Sequence, residues 1–99
     1  MVSKVTVITP IYNGERFIDQ YISTLLQQTY NNVELIIVND GSTDKTLFLC
    51  EKKKVLLEQK GWKILIISQP NKGAAAAVNA ALKKVSGCLL YTSPSPRDR

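Results

Sequence analysis

The chain has 99 residues, enough for one small domain, and 44% of them are hydrophobic, which excludes a disordered chain. Net charge is +5, but the basic residues are scattered apart from Lys52, Lys53 and Lys54, with no interleaved aromatics, so nucleic acid is excluded as a partner. Two cysteines, Cys50 and Cys88, and no histidine leave zinc without a ligand set and imply a reducing compartment, with Cys50 a small buried apolar residue.

Val5-Thr6-Val7-Ile8-Thr9 is a β-branched run ended by Pro10 and predicts a first strand. Asn13-Gly14 signals a turn. Phe17, Ile18, Tyr21, Ile22, Leu25 and Leu26 then recur at helical spacing, and Asn31-Asn32 breaks the pattern. Leu35-Ile36-Ile37-Val38 is apolar throughout, as in a parallel strand covered on both faces. Asn39-Asp40-Gly41-Ser42 ends it. Thr43 or Ser42 is expected to cap a second helix, with Asp44 in its first turn, and that helix runs to about Lys60 and stops at Gly61. Leu47, Cys50 and Leu57 share its apolar face. Ile64-Leu65-Ile66-Ile67 predicts a third strand, followed by a loop from Gln69 to Gly73. Ala74 to Val85 is alanine-rich and predicts a third helix, whose narrow face carries Ala74, Ala77, Val78, Ala81, Leu82 and Val85.

This order, βαβαβα, predicts an α/β fold: a three-layer, Rossmann-like half domain with a parallel sheet and right-handed crossovers. Three strands leave an edge for a fourth to cover. Ligands of such sheets bind at the carboxyl ends of the strands, which brings the loops Pro10 to Glu15, Asn39 to Thr43 and Gln69 to Gly73 together. The N-terminus lacks the basic and apolar regions of a signal peptide, and no apolar run is long enough to span a membrane.

Each loop residue supports two roles. Asp40 can accept a hydrogen bond from a base N–H or a ribose hydroxyl, or serve as a turn and cap residue. Gly41 permits a tight or left-handed backbone. Tyr12 can stack on a base and Asn13 can supply amide contacts; equally, they are an exposed aromatic and a turn former. Glu15 can meet a sugar hydroxyl or charge the first helical turn. No G-x-G-x-x-G follows the first strand and no G-x-x-x-x-G-K-[ST] occurs, which disfavours a dinucleotide site and a nucleotide triphosphatase loop. Without histidine, a serine hydrolase lacks its usual base. Asp40 and Asp44 straddle a turn and a helix start and are not read as a catalytic pair.

Four motifs in order resemble the family 2 glycosyltransferases: Val5 through Glu15, Leu26-Gln27-Gln28-Thr29-Tyr30, Glu34 through Asp44, and Asn71-Lys72-Gly73 with Asn79. The likeness covers about residues 3 to 87. It implies an incomplete A-type glycosyltransferase fold and transfer of a sugar, with inversion, from a nucleotide diphosphate donor to a saccharide or lipid-linked acceptor. The donor is a uridine diphosphate sugar by family frequency, and the setting is bacterial polysaccharide or glycolipid synthesis. It implies a cytoplasmic location, with the parent at the inner face of the membrane as the variant. By the same likeness Pro10, Tyr12 and Glu15 line a nucleoside pocket and Asp40 holds the base through its N–H. The loop carrying Lys72 and Gly73 lies near base and diphosphate, and on their own chemistry, rather than on the likeness, Asn13 and Gly41 are added to the donor-binding set. Two positions depart from the pattern. Asn39 stands where an aspartate is frequent, and Val78 stands where an arginine commonly precedes the position of Asn79; a valine has no polar group for a base edge or phosphate.

Beyond Gly87 the family continues with an acidic residue, a fourth strand and an aspartate-x-aspartate motif that holds Mg or Mn against the diphosphate, and later with a general base. None is found in this chain, so no catalytic or metal-binding residue is assigned, and the cation belongs to the full-length parent. Cys88 to Asp98 instead resembles a translated sequencing adapter. Residues 88–99 are therefore expected to be a non-native disordered tail on a truncated domain of residues 1–87. Cys88 to Tyr91 begins like a strand, but Ser93-Pro94-Ser95-Pro96 cannot continue one inside a sheet. Without this tail, 11 basic and 7 acidic residues still leave the domain at +4. The expected function is that of an inactive glycosyltransferase fragment; the alternatives are a non-catalytic nucleotide-binding α/β module, a receiver-type regulatory domain, which would need acids after the first strand, and a purely structural α/β protein.

Overall fold

The structure, a computed structural model, describes residues 5–29, 32–85 and 89–92. Its elements are β1 (Val5–Ile11), α1 (Glu15–Leu26), β2 (Val33–Asp40), α2 (Thr46–Gln59), β3 (Lys63–Gln69), α3 (Ala74–Leu82) and β4 (Leu89–Thr92). The strands form one parallel sheet in the order β3-β2-β1-β4. The α/β class and the three predicted strand–helix units are as expected, and each element lies within a few residues of its predicted place.

β2 is buried along its whole length, because it has a strand on either side and helices over both faces. Alternate side chains point to opposite faces. Leu35 and Ile37 join Ile11, Ile18, Ile22, Cys50, Leu57 and Trp62 under α1 and α2. Ile36 and Val38 join Ile8, Ala77 and Ala81 under α3. The small alanine face lets α3 lie close to the sheet, and Val78 packs against this cluster from its margin. Leu82, predicted on the same face, is 42% exposed, because the helix ends there rather than at Val85.

Two features correct the predicted boundaries. β2 extends past its apolar run at both ends, because Glu34, Asn39 and Asp40 are buried with polar partners: Thr6 donates to Glu34 at 3.1 Å. Pro10, expected to end β1, sits within it, opposite Val38. Among the described residues β4 pairs with β1 from Val5 to Ile8, and a proline N is tolerated where a strand is paired on one side. α1 ends at Leu26, five residues before Asn31; Asn31 itself lies outside the described residues.

The sheet has a fourth strand where a disordered tail was expected. Leu89 to Thr92 pair in parallel with β1. An extended Leu-Leu-Tyr-Thr segment can satisfy backbone groups that β1 would otherwise leave unpaired. Cys88 and the rest of the expected tail, residues 93–99, lie outside the described residues.

Ile36 is central to this packing, fully buried in the middle strand. Ile36→Ala is expected to lower stability by about 2–5 kcal/mol, read from the urea midpoint.

Candidate functional site

Strand alternation puts Asp40 on the α3 face of β2, at the carboxyl end of the sheet. Its residue is 0% exposed. A buried carboxylate needs donors, and the end of β3 and the β3–α3 loop supply them. Gln69 Nε2 and the Lys72 N–H donate to Oδ1, each at 2.9 Å, and the Gly73 N–H donates to Oδ2 at 2.9 Å. Gln69 is also the register partner of Asp40 across the parallel pair. Asp40 therefore clamps the loop that leads into α3.

Gly41 makes the same attachment sterically. Its φ is +74°, and a Cβ there would lie 2.5 Å from the Asn71 nitrogen and 2.9 Å from its Cα. Only a residue without a side chain lets the two backbones meet so closely.

The first loop is tied to the second by polar side chains. Asn13 has φ 49°, in the left-handed region that asparagine tolerates. Its N–H donates to Ser42 Oγ at 2.9 Å, and its Oδ1 accepts from the Thr43 N–H at 2.8 Å. The Gly14 N–H donates to Thr46 Oγ1 at 2.8 Å. Glu15 and Asp44 then cap each other's helices. The Lys45 N–H, ahead of α2, donates to Glu15 Oε1 at 3.0 Å, and the Glu15 N–H, opening α1, donates to Asp44 Oδ2 at 3.2 Å. Asp44 Oδ1 accepts from the Thr46 N–H at 2.9 Å and from the Thr46 hydroxyl. A carboxylate at a helix start both accepts otherwise unpaired N–H groups and opposes the helix dipole.

This differs from the expected capping. α2 begins at Thr46, and Asp44 rather than Ser42 or Thr43 accepts from its first N–H. Ser42 and Thr43 are held by the β1–α1 loop instead. Asn39 fits its departure from the family pattern by using both ends of its amide. Oδ1 accepts from the Ser42 N–H at 3.2 Å, and Nδ2 donates to Ser68 Oγ at 3.1 Å.

Burial pushes the Asp44 carboxyl up, but bonds from the Thr46 hydroxyl, the Thr46 N–H and the Glu15 N–H outweigh it and leave the pKa below the ordinary value. Burial, with Glu51 and Asp44 nearby, pushes the Cys50 thiol up to about 12. A thiol so reluctant to ionise is a core residue, not a nucleophile. Among the described residues, no group of three histidine, cysteine, aspartate or glutamate side chains is placed to hold a metal ion.

The predicted site residues thus gather at one sheet edge in unequal states. Pro10 and Asp40 are buried; Tyr12, Asn13, Glu15, Gly41 and Gly73 are half-buried; Lys72 is exposed. The side chains of Asn13, Glu15 and Asp40 all hold neighbouring loops. Sequence reasoning missed Gln69 and undervalued Asp44 and Thr46. The Asp44-Lys45-Thr46 order carried a signal, an acid two residues before a helix-starting N–H. Gln69 carried none, since its partner is fixed by strand register.

A parallel sheet with its polar loops joined at the carboxyl edge defines a ligand-binding α/β domain of the doubly wound class. The chain belongs to glycosyl transferase family 2, whose family model matches residues 6–92. It is 39% identical over 84 residues to "Glycosyltransferase GlyA" of Streptococcus pneumoniae serotype 4, covering 85% of this chain and 12% of that protein. It is 36% identical over 90 residues to the "Uncharacterized glycosyltransferase EpsJ" of Bacillus subtilis, covering 91% and 25%. Among solved structures, S. aureus TarS 1-349 in complex with UDP-GlcNAc aligns with a TM-score of 0.76 at 30% identity, over 94% of this chain and 26% of that one. The mannosyltransferase PcManGT from Pyrobaculum calidifontis, in complex with GDP-Man and Mn2+, aligns with a TM-score of 0.75 at 26% identity, over 88% and 26%. The chain spans only a minor part of these relatives' length.

Two predictions follow from the loop geometry. Gly41→Ala is expected to release the β3–α3 loop, seen as a lower melting temperature and faster amide exchange at Lys72 and Gly73; unchanged protection there contradicts the clamp. Because the Asp44 pKa is depressed in the fold, its contribution is complete above the unfolded-state value and disappears as pH falls through the folded-state value. Asp44→Asn is therefore expected to be less stable at neutral pH and to lose less of its urea midpoint below about pH 4 than wild type does.

Proposed function

We propose that this chain forms the donor-nucleotide part of an inverting glycosyltransferase. The parent moves a sugar from a nucleotide diphosphate donor to a saccharide or lipid-linked acceptor. The observation that carries this reading is Asp40: a fully buried carboxylate at the carboxyl end of the central strand, where three loops meet. Its chemistry suits an N–H beside a carbonyl, as on uracil or guanine, and the complexes of relatives with UDP-GlcNAc and with GDP-Man support that class of ligand. Tyr12, half-buried after β1, brings an aromatic ring to this edge as a candidate stacking partner, and the exposed Lys72 lies on the loop nearest Asp40 as a cation for the diphosphate.

Asn13 and Glu15 act on the donor through position. Their side chains fix the β1–α1 loop against the start of α2 and so hold Tyr12 in place. The relative solved with Mn2+ implies a divalent cation in the parent, which would offset charge on the leaving diphosphate. The described residues do not supply its ligands, and no step through it is assigned to them. The chain alone is accordingly expected to bind nucleotide without transferring sugar.

On the adapter likeness of Cys88 to Asp98, we further propose that the native domain of this chain continues differently after Gly87; amplification of the gene across codon 88 tests it.

Calorimetry with UDP and GDP checks the binding claim. One of them is expected to bind the 99-residue chain, and Asp40→Ala to weaken it about tenfold or more, with Asp40→Asn as the variant that keeps size. Equal binding by both variants and wild type, or metal-dependent sugar turnover by the chain alone, would overturn the respective part of the proposal.

A further inference from the structure

Asp40 is a candidate base-binding group that a ligand cannot touch without some rearrangement, since its residue is 0% exposed. Three donors to its carboxylate differ in how readily they can leave. The Lys72 and Gly73 N–H groups belong to the backbone turn entering α3, which Gly41 also grips through Asn71. Moving them means rebuilding the loop. The third donor, Gln69 Nε2, sits at the end of a half-exposed side chain and can leave by rotation about side-chain bonds.

We propose that Gln69 is an internal stand-in for the base: its amide N–H holds the Asp40 Oδ1 position that a base N–H takes when nucleotide binds. This inference rests on the reading of Asp40 as the base-holding residue. A primary amide N–H and the N–H of uracil or guanine are the same kind of donor, each next to a carbonyl. Exchanging one for the other keeps Asp40 supplied with hydrogen bonds throughout, which matters because a buried acceptor left unpaired is costly. The exchange has two consequences. Nucleotide binding competes with an intramolecular bond, so affinity is lower than the site could give. A base without that N–H cannot replace the amide, so the stand-in enforces base chemistry by exclusion as well as by attraction.

The test is calorimetry on the full chain with the tighter binder of UDP and GDP and with its N-methylated counterpart (N3-methyl-UDP or N1-methyl-GDP). Wild type is expected to prefer the unmethylated nucleotide. Gln69→Ala is expected to bind that nucleotide ~10- to 100-fold tighter, the range of one released hydrogen bond to a charged group, with little change for the methylated form. In wild type, the Gln69 side-chain amide resonance is expected to move toward its solvent-exposed position on adding nucleotide. That readout decides the matter even if Gln69→Ala does not fold. Unchanged or weaker binding by Gln69→Ala, or a static amide resonance, overturns the stand-in while wild-type discrimination against the methylated base leaves the base-holding role intact. Equal binding of both nucleotides by wild type, or no binding of either, removes the base-holding role and the stand-in together.

Discussion

A carboxylate with no exposure must be surrounded by donors, and at Asp40 such donors come from the end of β3 and the loop after it, about thirty residues further along the chain. The rest of the sheet edge depends on this requirement. Asp40 is the last residue of the central strand, and its partners fix where β3 ends and where α3 begins. Gly41, next in the chain, admits the same loop by lacking a side chain. On the other side the β2–α2 segment is joined to the first loop through Asn13, Glu15 and Asp44. The second loop thereby holds both of its neighbours.

This arrangement suits recognition of a polar ligand. Hydrogen bonds in a buried setting are strong when complete and costly when incomplete, so a network of this kind has few alternative geometries. Tyr12 and Lys72 are carried on loops whose backbones are fixed at several points by the side chains of Asn13, Glu15 and Asp40. Positioning and contact are thus divided between different residues. The division also changes the roles of Asn13 and Glu15, both expected among the donor contacts, whose oxygens here accept from backbone N–H groups of the second loop.

The peripheral pairs contribute less. Lys53 and Asp19 form an ion pair at 2.8 Å between α2 and α1, but Asp19 is largely exposed and such pairs are worth little. Lys60 lies 5.9 Å from the centre of the Trp62 ring and donates to the Gln28 carbonyl, closing the lower end of the α1–α2 face. The apolar clusters under the helices supply most of the stabilisation, at roughly 1.5–3 kcal/mol for each large side chain fully buried.

The amino-acid order by itself determined the α/β class, the three strand–helix units and the sheet edge at which the polar residues gather. Those features follow from local periodicity, from turn residues and from the handedness of crossovers, all of which act within a short stretch of chain. The full length of β2 was not legible, because Glu34, Asn39 and Asp40 are polar and their burial depends on partners in other strands and loops. Only the tertiary structure decided that Gln69 meets Asp40, that Asp44 and Glu15 cap each other's helices, and that Leu89–Thr92 joins β1. The physical reason is the same in each case: strand register and loop contact bring together residues whose pairing leaves no mark in the spacing of either segment.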